Sequence, residues 1–171
     1  MLNSKILWVT GVIAVAIIAG CAAPTRPTID AAHTGGENLR TRLQDGVAEP
    51  TVNSNGHQVS ASVRVGVLDA FERQAEKDGL KIVPTGIPVT ITVEEYSTRS
   101  SAARFWFGAL AGSDHIKAMV EVGDARFEVE DTARTAINGI DIVAMDVGIE
   151  AANGVAMLAG LPIAEESAAG R

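Results

Sequence analysis

The sequence has few of the residues that build stapled or metal-dependent proteins. It contains one cysteine, Cys21, and three histidines among 171 residues. A single cysteine cannot form an internal disulfide, so the folded part must be stable without covalent staples. His33 and His57 lie far apart in a polar segment, whereas zinc sites need several ligands in close register. We therefore expect no metal site.

Aromatic residues and positive charges are also scarce. Aromatics make up 4 % of the chain, so the core must be packed from Val, Ile, Leu and Ala. Asp and Glu number 21 against 14 Lys and Arg, which gives a formal net charge of −7. Binding to a phosphate backbone needs clustered cations, so no nucleic acid partner is expected.

The N-terminal region has the three parts of a secretory signal. Met1 to Lys5 carries one cation, Ile6 to Ile18 is almost entirely apolar, and two small residues precede Cys21. One alternative is an uncleaved membrane anchor, because Ile6 to Ala23 is uncharged over 18 residues and a spanning helix needs at least about 17. An ordinary secreted protein is the other alternative.

The small-small-Cys ending, Ala19-Gly20-Cys21, resembles the lipobox of bacterial lipoproteins. The resemblance implies that residues 1–20 are a lipoprotein signal peptide and that Cys21 carries acyl chains such as palmitate. Each buried methylene contributes about 0.8 kcal/mol, and two or more chains attach a protein stably. By the same resemblance, Ala22 in place of Asp implies delivery to the outer membrane, facing the periplasm.

We predict that residues 21–58 form a lipid-anchored flexible tether. They are rich in chain-breaking and small polar residues, such as Gly35-Gly36 and Asn53 to Gly56, and cannot bury enough apolar surface to offset the entropy of ordering. A coil of about 35 residues reaches roughly 30 to 35 Å. One short helix, Glu37 to Gln44, is compatible with two leucines spaced four apart.

Two amphipathic helices are predicted within a domain over residues 59–163. Apolar residues at helical spacing indicate a helix over Ser62 to Asp78, with Gly79 as its C-terminal cap. A second helix is predicted over Ile142 to Ala159, with Asp141 as its N-cap.

Alternating apolar and polar residues predict the strands of this domain. One strand is expected over Pro88 to Tyr96, and two more flank a tight turn at Gly123-Asp124. We therefore predict an α+β domain, with an antiparallel sheet of three to four strands and two helices packed on one face. Residues 164–171 are predicted to form a disordered tail.

The sharpest functional clue is the tripeptide Phe105-Trp106-Phe107. After the predicted loss of residues 1–20, it holds three of the six aromatics that remain. In a strand, Trp106 would face the opposite side from its neighbours, so one side is hard to bury. Either all three are core residues, or Arg104 to Phe107 bind a protein or lipid partner. In the second case, Arg99 and Arg104 would meet anionic headgroups.

The run Ser97 to Ser113 contains a Gly-x-x-x-Gly-Ser pattern, Gly108 to Ser113, and is followed by an alternating strand. It resembles the central signature of a family of uncharacterised bacterial outer-membrane lipoproteins. The resemblance covers about Val63 to Ala159. It implies a small α+β domain that faces the envelope and has no assigned reaction, so it supplies no catalytic residue.

We interpret the chain as a lipid-anchored envelope protein whose periplasmic domain is a binding or assembly module without catalytic activity or cofactor. Its expected partners are the membrane, through Cys21, and an envelope protein or lipid. One alternative is a hydrolytic periplasmic enzyme that uses Asp114 and His115. Adjacent residues, however, cannot generally place a nucleophile, a base and an orienting carboxylate in line. The other alternative is an accessory lipoprotein of envelope lipid transport.

Overall fold

The computed structural model describes residues 34–99, 113–133 and 139–164, together with residues 27 and 29. This part of the chain forms an α+β domain with three helices and one four-stranded sheet, which confirms the predicted class. The elements, in chain order, are α1 (Gly36–Asp45), β1 (Thr51–Asn53), α2 (Ala61–Asp78), β2 (Val89–Ser97), β3 (Asp114–Val122), β4 (Ala125–Ala133) and α3 (Ile140–Ala159).

The sheet has the strand order β1-β2-β3-β4 and is mixed. Strands β2, β3 and β4 are antiparallel, and β3 turns into β4 at Gly123-Asp124, where Gly123 has a φ of 61°. Strand β1 instead runs parallel to β2, with Thr51 opposite Thr90. The prediction of a wholly antiparallel sheet was therefore wrong. Three residues in a polar segment are too few to show the alternation that reveals a strand.

Helix α3 packs on β3 and β4, and α2 packs along α3. Helix α2 begins with the Ser60 side chain accepting a hydrogen bond from Val63 N, and ends at Gly79 in the left-handed conformation, as predicted. The N-cap of α3 is Gly139, and the predicted cap Asp141 lies in the first helical turn. That prediction was wrong in position, although an acidic residue in a first turn still suits the helix dipole.

The α2–α3 contact is close because Gly148 has no side chain. A Cβ at Gly148 would overlap the Val67 carbonyl oxygen and approach the Ala70 Cβ to 2.9 Å. Within the described residues, α3 is the one helix long and apolar enough to cross a membrane, judged by length and composition. However, 72 % of its apolar window is buried inside the domain, which is the position of a core helix.

The folded domain begins well before residue 59. Leu39 and Leu43 of α1, and Val47 after it, are buried in the same core as the sheet and the other two helices. Residues 34–58 therefore belong to the domain, and the tether predicted over residues 21–58 is too long. Short turns between packed elements have the same Gly- and Asn-rich composition as flexible coil, which explains the error.

The C-terminal end of the described chain is attached to α2. Asp78 Oδ1 accepts hydrogen bonds from Ala164 N at 2.8 Å and from Gln74 Nε2 at 2.9 Å, and Gln74 Nε2 also lies 3.0 Å from Asn153 Oδ1. Burial raises the pKa of Asp78 above its usual value. Ala164, predicted to begin the tail, is therefore held by the domain, and residues 165–171 lie outside the described residues.

Candidate functional site

Two of the predicted sites lie outside the described residues. Cys21, the predicted lipidation site, precedes them, and the predicted partner-binding residues Arg104, Phe105, Trp106 and Phe107 fall in the undescribed segment 100–112. The structure does describe where this segment leaves β2 and where it enters β3. These two points lie at the end of the sheet opposite the Gly123-Asp124 turn. We call the end of the domain with these two points the loop end, and the end with the Gly123-Asp124 turn the hairpin end.

The loop end is held by a buried ion pair between Arg99 and Asp114. The Arg99 backbone N–H donates to Asp114 Oδ1 at 2.6 Å, and its guanidinium Nη2 and Nε donate to Oδ2 at 2.9 and 3.2 Å. The two side chains are only 2 % and 0 % exposed. Arg99 is therefore not available to an anionic headgroup, and that part of the prediction was wrong. The pair fixes both ends of segment 100–112 instead.

The residues of the hydrolase alternative, Asp114 and His115, point to opposite faces of the sheet. His115 lies on the open face, with Nδ1 2.8 Å from Thr132 Oγ1 and Nε2 3.5 Å from Glu95 Oε2. Asp114 is buried on the helix-covered face. Because successive strand residues alternate between faces, the two side chains cannot act on one substrate atom.

The open face of the sheet is polar and largely acidic. Lys117 Nζ lies 2.8 Å from Glu128 Oε2, and this contact raises the pKa of Lys117. No group of three or more His, Cys, Asp and Glu in the described ranges is arranged to hold a metal ion. Five glutamates of the strands are exposed, namely Glu94, Glu95, Glu121, Glu128 and Glu130.

A half-buried carboxyl on α3, Glu150, lies beside the edge strand β4. Its Oε2 accepts a hydrogen bond from Glu130 N at 3.2 Å. The pKa of Glu150 is raised to about 7, chiefly by burial and also by the carboxylates of Asp131, Glu130 and Asp146, against the opposing effect of that hydrogen bond. Glu150 therefore titrates near neutral pH. The sequence did not indicate this, because the cause is the packing of α3 on β4.

An open groove of about 420 Å³ lies between α1 and the C-terminal end of α3. We call it the α1–α3 groove. Helix α1 packs against the hairpin turn, since a Cβ at Gly123 would lie 2.7 Å from Leu39 Cδ1. The groove therefore belongs to the hairpin end. Its walls combine two charged side chains, three apolar ones and small residues: Glu37, Arg40, Ile29, Met157, Leu158, Thr34, Gly36 and Gly160.

The two charges of this groove differ from those at the loop end. Arg40 and Glu37 are both exposed, and the guanidinium and the carboxylate form no hydrogen bond or ion pair with the part of the chain that the structure describes. The Arg40 guanidinium lies against Gly160, where a Cβ would overlap it. Glycine at this position therefore leaves room for the Arg40 side chain on the groove wall.

The N-terminal chain docks on α3 close to the groove. Pro27 is buried, with its Cγ 2.9 Å from the position that a Cβ on Gly154 would take, and Ile29 packs against the core. Pro27 is only six positions after Cys21 in the sequence. Six fully extended residues span at most about 20 Å. The sequence did not predict this contact, although Leu39 and Leu43, spaced four apart, did predict a short helix nearby.

No protein family matches the chain, and no curated protein matches it. Among solved structures, the chain is similar to a point variant of the PelC dodecamer from Paraburkholderia phytofirmans, with 14 % identity and a TM-score of 0.45 over 65 % of this chain and 86 % of that one. A second PelC dodecamer from the same organism gives 10 % identity and a TM-score of 0.37, over 63 % and 84 % of the two chains.

Proposed function

We propose that this chain is a lipid-anchored outer-membrane protein whose periplasmic α+β domain is a non-catalytic binding or assembly module, held close to the membrane. The observation that supports this proposal is the burial of Pro27 on α3, six residues after the lipobox-like cysteine Cys21. Acyl chains on Cys21 would keep the first docked residue within about 20 Å of the lipid.

A short connection has a functional consequence. The roughly 35-residue tether expected from composition would let the domain search a volume 30 to 35 Å deep. With Pro27 docked, the domain would instead bind partners at the membrane surface, because the short connection holds the domain there at high effective concentration.

Segment 100–112 is the proposed site for a protein partner. It is joined to the sheet at both ends, and the Arg99–Asp114 pair fixes those ends to the core. Binding residues are commonly carried on connecting segments of the chain that a rigid scaffold positions. The Phe105-Trp106-Phe107 tripeptide and Arg104 would then supply apolar contact area and a cation.

Acylation tests the first half of the proposal. Cells expressing the chain are labelled with radioactive palmitate, and the protein is recovered from separated membrane fractions. We expect label in the wild type and none in Cys21→Ala, which should also leave the membrane fraction. Ala22→Asp is the matched control, because it should keep the label. Unlabelled wild-type protein, or Cys21→Ala that stays in the membrane, contradicts the proposal.

Partner capture tests the second half. Crosslinking in intact envelopes should give a discrete adduct with wild-type protein that Trp106→Ala reduces severalfold. Val65→Ala is the matched control, since Val65 is an apolar side chain of α2 that is 53 % exposed and belongs to no proposed site. Equal capture by wild type and Trp106→Ala would remove segment 100–112 from the proposal.

A further inference from the structure

We propose that the α1–α3 groove binds the headgroup of phosphatidylethanolamine from the membrane to which the chain is tethered. Arg40 would bind the phosphate and Glu37 the ammonium group, while Ile29, Met157 and Leu158 contact the glycerol and the first methylenes. This inference rests on the proposed function, because attachment at Cys21 is what brings the groove to a lipid surface.

The charges of the groove match a zwitterion. Glu37 and Arg40 lie three residues apart on α1, a spacing at which helical side chains are neighbours, yet they do not pair with each other. Two opposite charges that are both available to a ligand suit a molecule that carries both. An anionic lipid would gain from Arg40 but would be repelled by Glu37 and by a chain with a net charge of −7.

The hydrogen-bonding chemistry favours an ethanolamine headgroup over choline. A primary ammonium has three N–H donors for the Glu37 carboxylate, as a lysine side chain has, whereas a quaternary ammonium has none. The Arg40 guanidinium presents forked donors that suit phosphate oxygens. The groove therefore has a recognition group for each charged part of this lipid.

The apolar wall suits the part of the lipid next to its headgroup. Met157 is 39 % exposed on α3, a helix whose other apolar residues are mostly buried, and it faces the groove with Ile29. An exposed methionine is flexible and polarizable and adapts to an irregular apolar ligand. A volume of about 420 Å³ holds a headgroup and glycerol and leaves the acyl chains in the bilayer.

The tether itself brings the groove to the membrane. Ile29 lies on the groove wall and is only eight residues from Cys21 in the sequence. Eight extended residues span at most about 28 Å, and Pro27 shortens this reach because it is docked on α3. The hairpin end, which contains the groove, therefore lies nearer the membrane than the loop end.

A purely structural role for Arg40 accounts less well for its position. A cation near the C-terminal end of α3 would favour the helix dipole. Three of the last four carbonyl groups of α3 already have donors, however. Gln44 Nε2 donates to Ala159 O at 3.0 Å, Gly160 N donates to Met157 O, and Leu161 N donates to Ala156 O. Arg40 is thus not needed to satisfy the helix end.

Native mass spectrometry of the detergent-extracted full chain tests the inference by counting retained phospholipids. Wild-type protein is mixed with phosphatidylethanolamine, phosphatidylcholine or phosphatidylglycerol in equal amounts. We expect phosphatidylethanolamine to be retained about tenfold better than either other lipid, the effect of one charge-assisted contact. Equal retention of the three lipids would overturn the proposal.

Three variants assign the effect to the groove. Arg40→Ala should lower retention about tenfold, and Glu37→Gln should abolish the preference for ethanolamine over choline. Arg42→Ala is the matched control, since Arg42 is an exposed arginine of the same helix that does not line the groove. Wild-type retention by Arg40→Ala, or an equal loss in Arg42→Ala, contradicts the assignment. If Arg40→Ala fails to fold, Arg40→Lys gives the same test with an expected loss of about threefold, because the cation is kept without the fork.

A soluble competitor identifies the source of the phosphate. Glycerophosphoethanolamine should displace the retained lipid, whereas equimolar inorganic phosphate should not; equal displacement by both would overturn the lipid assignment. The outcome is independent of acylation, because detergent extracts the chain whether or not Cys21 is labelled. Arg40-dependent retention in a protein without palmitate would therefore reject the proposed function while keeping the groove as a lipid site.

Discussion

The two ends of the domain use the same pair of charge types in opposite ways. At the loop end, Arg99 and Asp114 are buried and joined by three hydrogen bonds. At the hairpin end, Arg40 and Glu37 are exposed, close in sequence and not paired. A buried charge must have a partner because desolvation is costly, whereas exposed charges gain little from pairing. Burial therefore makes the first pair structural and leaves the second available to a ligand.

The two ends also differ in the partner that we propose for each. The loop end carries segment 100–112 on two fixed attachment points and is the proposed site for a protein partner. The hairpin end is contacted by Pro27 and Ile29 and holds the α1–α3 groove. If Cys21 is acylated as proposed, the domain would be attached to the membrane near its hairpin end and would present its loop end to the periplasm.

The largest expected effect is the loss of the buried pair. Asp114→Asn should lower the free energy of unfolding by about 3 to 5 kcal/mol, because the buried Arg99 guanidinium would lose the negative charge of Asp114 beside it. Glu37→Gln, which removes an exposed carboxylate, should change it by less than about 0.5 kcal/mol. Urea unfolding followed by circular dichroism measures both. A loss below about 1 kcal/mol for Asp114→Asn would contradict a structural role for the buried pair.

Gly154→Ala should have the next largest effect, at the docking point of the tether. A Cβ there would overlap the Phe127 ring and press on Pro27, so we expect a loss of about 1 to 3 kcal/mol and faster proteolysis of residues 22–33. Gly66→Ala is the control, because its Cβ would lie 3.6 Å from Ala144 Cβ, an ordinary contact. It should stabilise the protein by up to about 1 kcal/mol. Equal behaviour of the two variants would argue against a docked Pro27.

Glu150 is intermediate in burial between the buried pair of the loop end and the exposed charges of the hairpin end. Its neighbours are acidic. Its pKa is about 7 in the folded protein and near 4.5 in the unfolded chain, so the folded state binds its proton more tightly. This contribution is fully present below pH 4.5 and is lost as the pH rises through 7. We expect it to be about 1 to 2 kcal/mol after screening by water.

Glu150→Gln tests this contribution, because glutamine keeps an acceptor for Glu130 N and removes the charge. The difference in unfolding free energy between variant and wild type should favour the variant increasingly from pH 5 to pH 8. Asp78, whose pKa is also raised by burial, contributes in both proteins and cancels in the difference. A difference that does not change with pH would show that Glu150 does not titrate in this range.

The elements with strong periodicity could be predicted from the sequence. Helices α2 and α3, strands β2 to β4 and the Gly123-Asp124 turn follow from helical spacing, alternation and turn chemistry. Strand β1 and the packing of α1 could not, because three residues show no alternation and a short helix in a Gly-rich segment has the composition of coil. Their places are set by contacts with distant parts of the chain.

The candidate sites were harder to predict than the fold, for the same reason. Arg99 and Asp114 are brought together by the register of β2 and β3, and the groove joins residues near position 40 to residues near position 160. No local pattern marks a pairing that long-range packing creates. The lipobox-like ending at Cys21 is different, because it is a short linear signal and the sequence can display it whole.

Energy transfer from the protein to headgroup-labelled lipids tests the proposal that the hairpin end faces the membrane. A dye is placed on Arg42→Cys at the hairpin end or on Thr98→Cys at the loop end, both exposed positions, in the full chain reconstituted in vesicles. Wild-type protein should take up no dye, since acylation occupies Cys21. We expect clearly greater transfer from position 42 than from position 98. Equal or greater transfer from position 98 would show that the hairpin end does not face the membrane.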